Sequence, residues 1–341
     1  MAMSSTSNSP RVPSAAASPS RRWRDVAILI ALLALVGFGL AGLALATGWE
    51  ETIDAIQGLS WTQILGLLAL SLVNYGLRGL RWHIFARRLG LPLGLIANLR
   101  HFLAGFAMSV TPGRVGELVR MRWIRREAGA SFERTAPLVL VDRASDLAAM
   151  AILLALALLF STGGIAGALP VAIAALIAAW VVTRPDLMRR LAGIGYALAG
   201  RRFPRLFAKV RRAAHALEQF TAPGFLVLAA LLGLIGWAAE GYAFHLLLVW
   251  MDADIGFMTA LAIFIFATLA GGLTGAPGGL GGAEAAMVAL LALNGVPLEV
   301  AVPATLIIRV TTLWFAIGLG LVVFPWAEKA SKKAEHALET N

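Results

Sequence analysis

The chain contains no cysteine. Disulfides, thiolate metal sites and a cysteine nucleophile are therefore excluded. Its histidines are His83, His101, His215, His245 and His336. None shows the paired spacing of an H-E-x-x-H motif, so neither a metal site nor a cofactor is expected. Charge is scarce: 14% of the 341 residues are charged, against about 25% in soluble domains. Apolar residues take their place, at 59% hydrophobic and a mean hydropathy of +0.79. This composition, laid out in long apolar runs, specifies an all-α, polytopic integral membrane protein. The net charge of +10 does not argue for nucleic acid. The basic residues cluster at the ends of apolar runs, the pattern of membrane topology.

Residues 1–25 are rich in Ser, Ala and Pro and end in Arg21-Arg22-Trp23-Arg24. They read as a disordered cytoplasmic tail. Ala44-Leu45-Ala46 resembles a signal-peptide cleavage site, but Val26–Trp49 exceeds the usual apolar stretch of about 7–15 residues. An uncleaved first span over Val26–Gly48 fits better. Glu50, Glu51 and Asp54 follow and place the next loop outside. Trp61–Leu80 returns to the basic set Arg78, Arg81, Arg87 and Arg88. Leu95–Val110 leads to a first Pro-Gly break whose far side carries Arg114, Arg120, Arg122, Arg125 and Arg126. Basic flanks on both sides predict a hairpin that enters and leaves from the cytoplasm. Thr135–Phe160 goes out and Pro170–Thr183 comes back. The loop 184–222 holds nine Lys and Arg against Asp186 and Glu218, which makes it cytoplasmic. A helix resting on anionic lipid is one reading of it, and a plain topology signal is the other.

Pro223–Met251 then crosses outward. No lysine or arginine occurs between Arg212 and Arg309, so the second Pro-Gly break belongs to an extracytoplasmic hairpin. Leu298–Trp326 returns to Lys329, Lys332 and Lys333. The expected architecture is about six full spans plus two re-entrant hairpins, arranged as inverted repeats. One transmembrane domain covers 26–327, with repeat one at about 61–160 and repeat two at about 223–327. A cytoplasmic tail occupies 328–341, in a bacterial cytoplasmic membrane.

A motif recurs within this plan. The first copy is Pro112-Gly113-Arg114-Val115-Gly116-Glu117 with Arg143 beyond it. The second is Pro277-Gly278-Gly279-Leu280-Gly281-Gly282-Ala283-Glu284 with Arg309 beyond it. Glutamate and arginine are 26 residues apart in one copy and 25 in the other. Proline removes an amide donor and glycine allows unusual dihedrals, so each run breaks a helix. In lipid such breaks survive only inside protein or beside water. The half-helix after each break turns its amides toward the tip, a potential anion site; alternatively, the glycines only let helices pack closely. Arg143 and Arg309 lie well inside apolar segments, where a charge costs at least about 2.5–3.5 kcal/mol. Glu117 with Arg143 and Glu284 with Arg309 form the expected internal salt bridges. When a pair opens, the arginine fork is suited to a lipid phosphate or carboxylate. Arg78, Arg81 and Glu240 are further candidates. The arginines either snorkel to headgroups or meet substrate, and Glu240 is expected to approach them across the repeat interface. Asp142 and Asp146 are read as local compensation for Arg143 rather than a metal pair.

These residues resemble the transmembrane region of lysylphosphatidylglycerol synthase and its free-standing relatives. The matching pieces are Arg78-x-x-Arg81-Trp82, Pro112-Gly113-x-x-Gly116-Glu117 with Arg143, and Pro277-Gly278-Gly279-Leu280-Gly281 through Glu284 with Arg309 and Trp314. The resemblance covers roughly residues 25–327. It implies lipid translocation, because this region of the full-length proteins acts as a flippase for an aminoacylated lipid. Free-standing relatives are tied to other lipids, including hopanoids and polyprenyl carriers. The chain ends soon after its last span, so no soluble aminoacyl-transfer domain, and no lysyltransferase or other enzyme activity, is expected. The leading expectation is a flippase for an anionic or zwitterionic lipid, with membrane lipids as partners. The alternatives are a scaffold for envelope-lipid biosynthetic enzymes and an intramembrane transferase.

Overall fold

The computed structural model describes residues 53–54, 57–109, 111, 115–160, 168–182, 184–198, 200, 202, 204, 208, 215, 217–253 and 255–340. The expected tail 1–25, the span Val26–Gly48, and Pro112 and Gly113 of the first break lie outside the described residues.

All regular elements among the described residues are helical. In chain order they are α1 (Trp61–Arg88), α2 (Leu95–Ala104), a 3₁₀ turn at Gly105–Met108, α3 (Val115–Ala128), α4 (Phe132–Phe160), α5 (Ala168–Val182) and α6 (Pro185–Leu198). After a 3₁₀ turn at Leu217–Phe220 come α7 (Pro223–Trp250), α8 (Phe257–Leu273), a 3₁₀ turn at Pro277–Gly279, α9 (Gly282–Leu293) and α10 (Leu298–Arg309). A π turn, Val310–Trp314, leads into α11 (Phe315–Thr340).

Among the described residues, four helical units are long and apolar enough to cross a membrane: α1, α4, α7 and the continuous Leu298–Ala337 stretch. The expected span Pro170–Thr183 corresponds to α5, which meets α6 at a bend of 94°. Residues 328–340, expected as a tail, continue α11.

Local signals set the ends of these helices. Ser60 caps α1 through a capping box, its Oγ accepting from the Gln63 amide at 3.3 Å while Gln63 Oε1 accepts from the Ser60 amide at 2.7 Å. Pro223 opens α7 at its first turn, where a missing amide proton costs nothing. The second break forms where expected. Gly278, Gly279 and Gly281 have φ of 64°, 70° and 79°, a region that only glycine occupies freely.

The two 28-residue helices α1 and α7 pack against each other in opposite directions. A Cβ on Gly66 would lie 3.9 Å from Trp250, one on Gly236 3.4 Å from Asn74, and one on Gly233 3.0 Å from Arg81. As α1 advances, its partners on α7 recede. Each long helix is followed by one that folds back along it. On α1, His83 meets Asn98 at 3.0 Å and Tyr75 meets Phe106 at 5.2 Å between ring centres. On α7, His245 meets Phe257 at 5.6 Å and Phe244 meets Phe264 at 6.0 Å. Because α1 and α7 run oppositely, the elements that fold back along them start from opposite ends of the bundle.

The two largest clusters of the buried core divide accordingly. One cluster joins the start of α1, the end of α7 and the α8–α9 pair through Leu67, Phe244, Leu247, Ile263 and Leu291. The other joins the end of α1, the α2 region and the start of α7 through Trp82, Phe85, Phe102, Phe106 and Ala229.

Candidate functional site

Between these two cores lies a buried polar system. Glu117 stands in the first turn of α3 and Glu284 in the first turn of α9. There the positive end of the helix dipole favours a negative charge. The anion at each helix start is thus the protein's own glutamate. Arg143 Nε donates to Glu117 Oε1 at 2.6 Å, and Arg309 Nε donates to Glu284 Oε1 at 2.6 Å. Both expected pairs form, in the uncrossed combination. Arg309 Nη2 also donates to the carbonyl of Gly278 at 3.0 Å. That carbonyl belongs to the helix break, so Pro277, Gly278, Gly279 and Gly281 shape the place where Arg309 is held.

The two pairs differ in environment. The Arg143 and Glu117 side chains are 35% and 18% exposed, whereas those of Arg309 and Glu284 are 8% and 4% exposed. The helix changes to a π turn directly after Arg309. Such turns leave a carbonyl free of its usual partner, and here the Tyr75 hydroxyl of α1 donates to the Thr312 carbonyl. This bond ties α1 to the segment that carries Arg309.

Arg78 and Arg81 are placed differently from the expectation. They do not snorkel: Arg78 is 8% and Arg81 0% exposed. Nor do they form an ion pair with Glu240, although Arg78 lies within its electrostatic reach. Arg78 Nη2 meets Asp146 Oδ2 at 2.6 Å, and Arg81 Nη2 meets Asp142 Oδ1 at 2.8 Å and Asp146 Oδ1 at 2.6 Å. Trp237 of α7 donates its indole N–H to Asp146 at 3.3 Å, and the Arg78 guanidinium lies 5.0 Å from the Trp237 ring centre. Asp146 approaches Arg143 only at 3.9 Å, so the two aspartates chiefly neutralise Arg78 and Arg81. The sequence carried the signal. Arginines three apart on one helix and aspartates four apart on another each present one face, and opposite charges buried in lipid must meet.

Glu240 is buried at 5% exposure. Among the described residues it makes no ion pair, and it lies within electrostatic reach of Arg78, Arg309 and Asp146. The polar system therefore runs from Glu117–Arg143 through Asp146, Arg78 and Glu240 to Arg309–Glu284. It bridges both halves of the molecule within the apolar bundle, with each of its arginines held by a carboxylate.

A fold and site of this kind define a multi-pass membrane protein with charged groups in its interior. Residues 26–320 match the family model described as lysylphosphatidylglycerol synthase TM region, and the chain belongs to that family. It is similar to a protein of Methanothermobacter thermautotrophicus described as a UPF0104 membrane protein, with 25% identity over 320 residues covering 87% of this chain and 95% of that one. A second protein of that organism with the same description is 30% identical over 105 residues, 31% of this chain and 30% of its own length.

Proposed function

We propose that this protein moves a lipid with an anionic or zwitterionic headgroup between membrane leaflets by alternating access. It does so without chemically altering the lipid. The headgroup passes between two inverted repeats while the tails stay in the bilayer, and each Glu–Arg pair in turn offers its arginine to the headgroup oxyanion. The observation that carries this reading is the same Arg Nε–Glu Oε1 bond in both pairs combined with unequal exposure. Arg143–Glu117 is partly open while Arg309–Glu284 is enclosed, as a transporter caught facing one side requires. Discontinuous helices that place polar groups at the repeat interface are a common transporter device. Both termini then face the cytoplasm of a bacterial inner membrane, by the distribution of Lys and Arg.

The test is lipid translocation in proteoliposomes carrying fluorescent phospholipid, scored by accessibility to a membrane-impermeant quencher. Transport is expected to fall at least roughly tenfold in both Arg143→Ala and Arg309→Ala, the loss of one charge-assisted hydrogen bond or more. Wild-type rates in both variants would sink the mechanism.

A further inference from the structure

The chain turns sharply where α5 meets α6. The two axes meet at 94°, so with α5 running across the membrane, α6 lies along its surface. The sequence of α6 suits that position. Leu187, Leu191, Ile194 and Leu198 recur at the spacing of one helix face. Met188 packs against the core cluster of Trp82 and Phe85. Arg189 donates through Nη1 to Glu218 at 2.6 Å and through Nη2 to Asp186. These contacts set the rotation of α6 and leave Leu191, Ile194 and Leu198 exposed. On a helix parallel to the membrane, such a stripe is covered by the boundary between headgroups and acyl chains.

In the elbow lies an open groove of about 440 Å³, lined by Trp180, Arg184, Asp186, Leu187 and Arg190. The Arg184 guanidinium stands 5.3 Å from the Trp180 ring centre. Among the described residues neither Arg184 nor Arg190 has a carboxylate at ion-pair distance, whereas Arg189 holds both Asp186 and Glu218. The acid that lines the groove is thus already engaged, and the two exposed guanidinium groups are not. Below them the wall is apolar and continues along α5. Ile173, Ile177 and Trp180 are exposed on one face and lead from the groove toward the depth of the bilayer. Tryptophan at the end of such a face is a mark of the membrane interface. Two arginines at the mouth of an apolar stripe match a phosphate-bearing headgroup with acyl chains.

We propose that the α5–α6 elbow binds an anionic phospholipid of the leaflet on which α6 rests. Its phosphate is held between Arg184 and Arg190, and its acyl chains lie along Ile177 and Ile173. The Lys and Arg of residues 184–222 make that leaflet the cytoplasmic one. The site shares no residue with the Glu–Arg system of the interior, so it stands or falls independently of the lipid-transport reading.

Because the chain has no cysteine, Ile177→Cys can carry a single bimane label beside the groove. The labelled full chain is placed in phosphatidylcholine nanodiscs containing a minor fraction of either dibrominated phosphatidylglycerol or dibrominated phosphatidylcholine, whose bromines quench a neighbouring fluorophore. Quenching by the phosphatidylglycerol is expected to exceed that by phosphatidylcholine at the same fraction, which measures its enrichment at the groove. Arg184→Gln and Arg190→Gln are each expected to lower the enrichment about fivefold, the worth of one arginine beside anionic lipid. Both side chains are exposed, so the variants are expected to fold, with melting temperature as the check. Arg125→Gln removes an exposed arginine of α3 outside the groove and should leave the enrichment intact. Equal quenching by the two lipids, or enrichment that survives both groove variants, overturns the site. An equal loss in Arg125→Gln also overturns it, because it shows diffuse attraction to a basic surface. So does release of the lipid by inorganic phosphate beyond that caused by sodium chloride of the same ionic strength, which identifies a free-anion site instead.

Discussion

Asn74 and Gly236 hold the same position in α1 and α7, and they meet each other. The same number of residues separates Trp61 from Pro223, where the two helices begin, as separates Asn74 from Gly236. A Cβ on Gly236 would lie 3.4 Å from Asn74 Nδ2 and 3.5 Å from its Cα. A contact between equivalent positions of two antiparallel helices is what an inverted repeat would produce. The same shift carries the close contact of Gly79 with Leu99 onto that of Gly241 with Leu261. It also carries His83 onto His245 and Arg78 onto Glu240.

Close approach at this crossing needs a small residue. Gly236→Ala is expected to be nearly neutral, because a methyl group there meets ordinary contact distances. Gly236→Leu must push α1 and α7 apart and should cost about 1–3 kcal/mol, the usual penalty of overpacking. Thermal unfolding in detergent checks the order of the two variants, and equal melting temperatures would contradict the crossing.

The two Glu–Arg pairs should respond unequally to truncation. Removing Arg309 strands Glu284 at 4% side-chain exposure, and an uncompensated buried charge costs about 3–5 kcal/mol. Arg143 and Glu117 are less enclosed, at 35% and 18% side-chain exposure, so the same removal is expected to cost less. Arg309→Ala is therefore expected to melt well below Arg143→Ala. Glu284→Gln added to Arg309→Ala should restore much of the difference, whereas Glu117→Gln added to Arg143→Ala should change little.

The cluster behind Arg143 is set for a larger loss. Arg81 is fully buried and its Nη2 alone meets both Asp142 and Asp146. Arg81→Met leaves two carboxylates with one strong cation, Arg78, and falls in the class of about 3–5 kcal/mol. Adding Asp142→Asn is expected to recover a measurable part of that loss, because the acid that Arg81 serves without Arg78 is Asp142. A double-mutant cycle on unfolding free energy measures this coupling, and strict additivity would mean that the contacts carry no energy.

The sequence was explicit about some of this arrangement and silent about the rest. The glutamate–arginine spacing, repeated beside a helix breaker, identified both ion pairs, because a charge in lipid has few ways to be tolerated. The second break was legible from its Pro-Gly run, and the structure shows why the glycines are there: Gly278, Gly279 and Gly281 take positive φ. The partners of Arg78 and Arg81 were missed because charge near a helix end also reads as snorkelling, and which way the helix is rotated is decided by packing. Glu240 was expected to contact the Arg78/Arg81 region; it lies within electrostatic reach of Arg78, but the ion pair of Arg78 is made with Asp146. The buried Arg120 guanidinium, 4.4 Å from the Phe102 ring centre and 5.3 Å from that of Trp82, left no sequence pattern at all. Phe102 and Trp82 lie on different elements and converge only on folding.

Gly320 of α11 and Gly241 of α7 separate rigid from yielding contacts. A Cβ on Gly320 would meet the Ala107 amide nitrogen at 2.3 Å and the Phe106 carbonyl carbon at 2.9 Å, backbone that cannot move aside. One on Gly241 would meet the end of the Leu261 side chain at 2.3 Å, which can rotate away. Gly320→Ala is expected to lower the melting temperature clearly more than Gly241→Ala, by an overpacking cost of about 1–3 kcal/mol. The reverse order would show that α11 does not press on the Gly105–Met108 turn.

The absence of cysteine makes the topology directly measurable. Thr111 lies beside the first break and Thr274 beside the second; the Thr111 hydroxyl donates to the Met108 carbonyl, and that of Thr274 donates to the Gly271 carbonyl and accepts from the Ala276 amide, all local bonds. Cysteine is a mild replacement at both. Because α1 and α7 run in opposite directions and each is followed by an element that folds back along it, the two hairpins should open to opposite faces of the membrane. In sealed inside-out and right-side-out vesicles, a membrane-impermeant maleimide is expected to modify Thr111→Cys from the cytoplasmic face and Thr274→Cys from the outer face, each faster than from the other side. Labelling of both from one face would place the hairpins on the same side and remove the inverted arrangement on which alternating access depends.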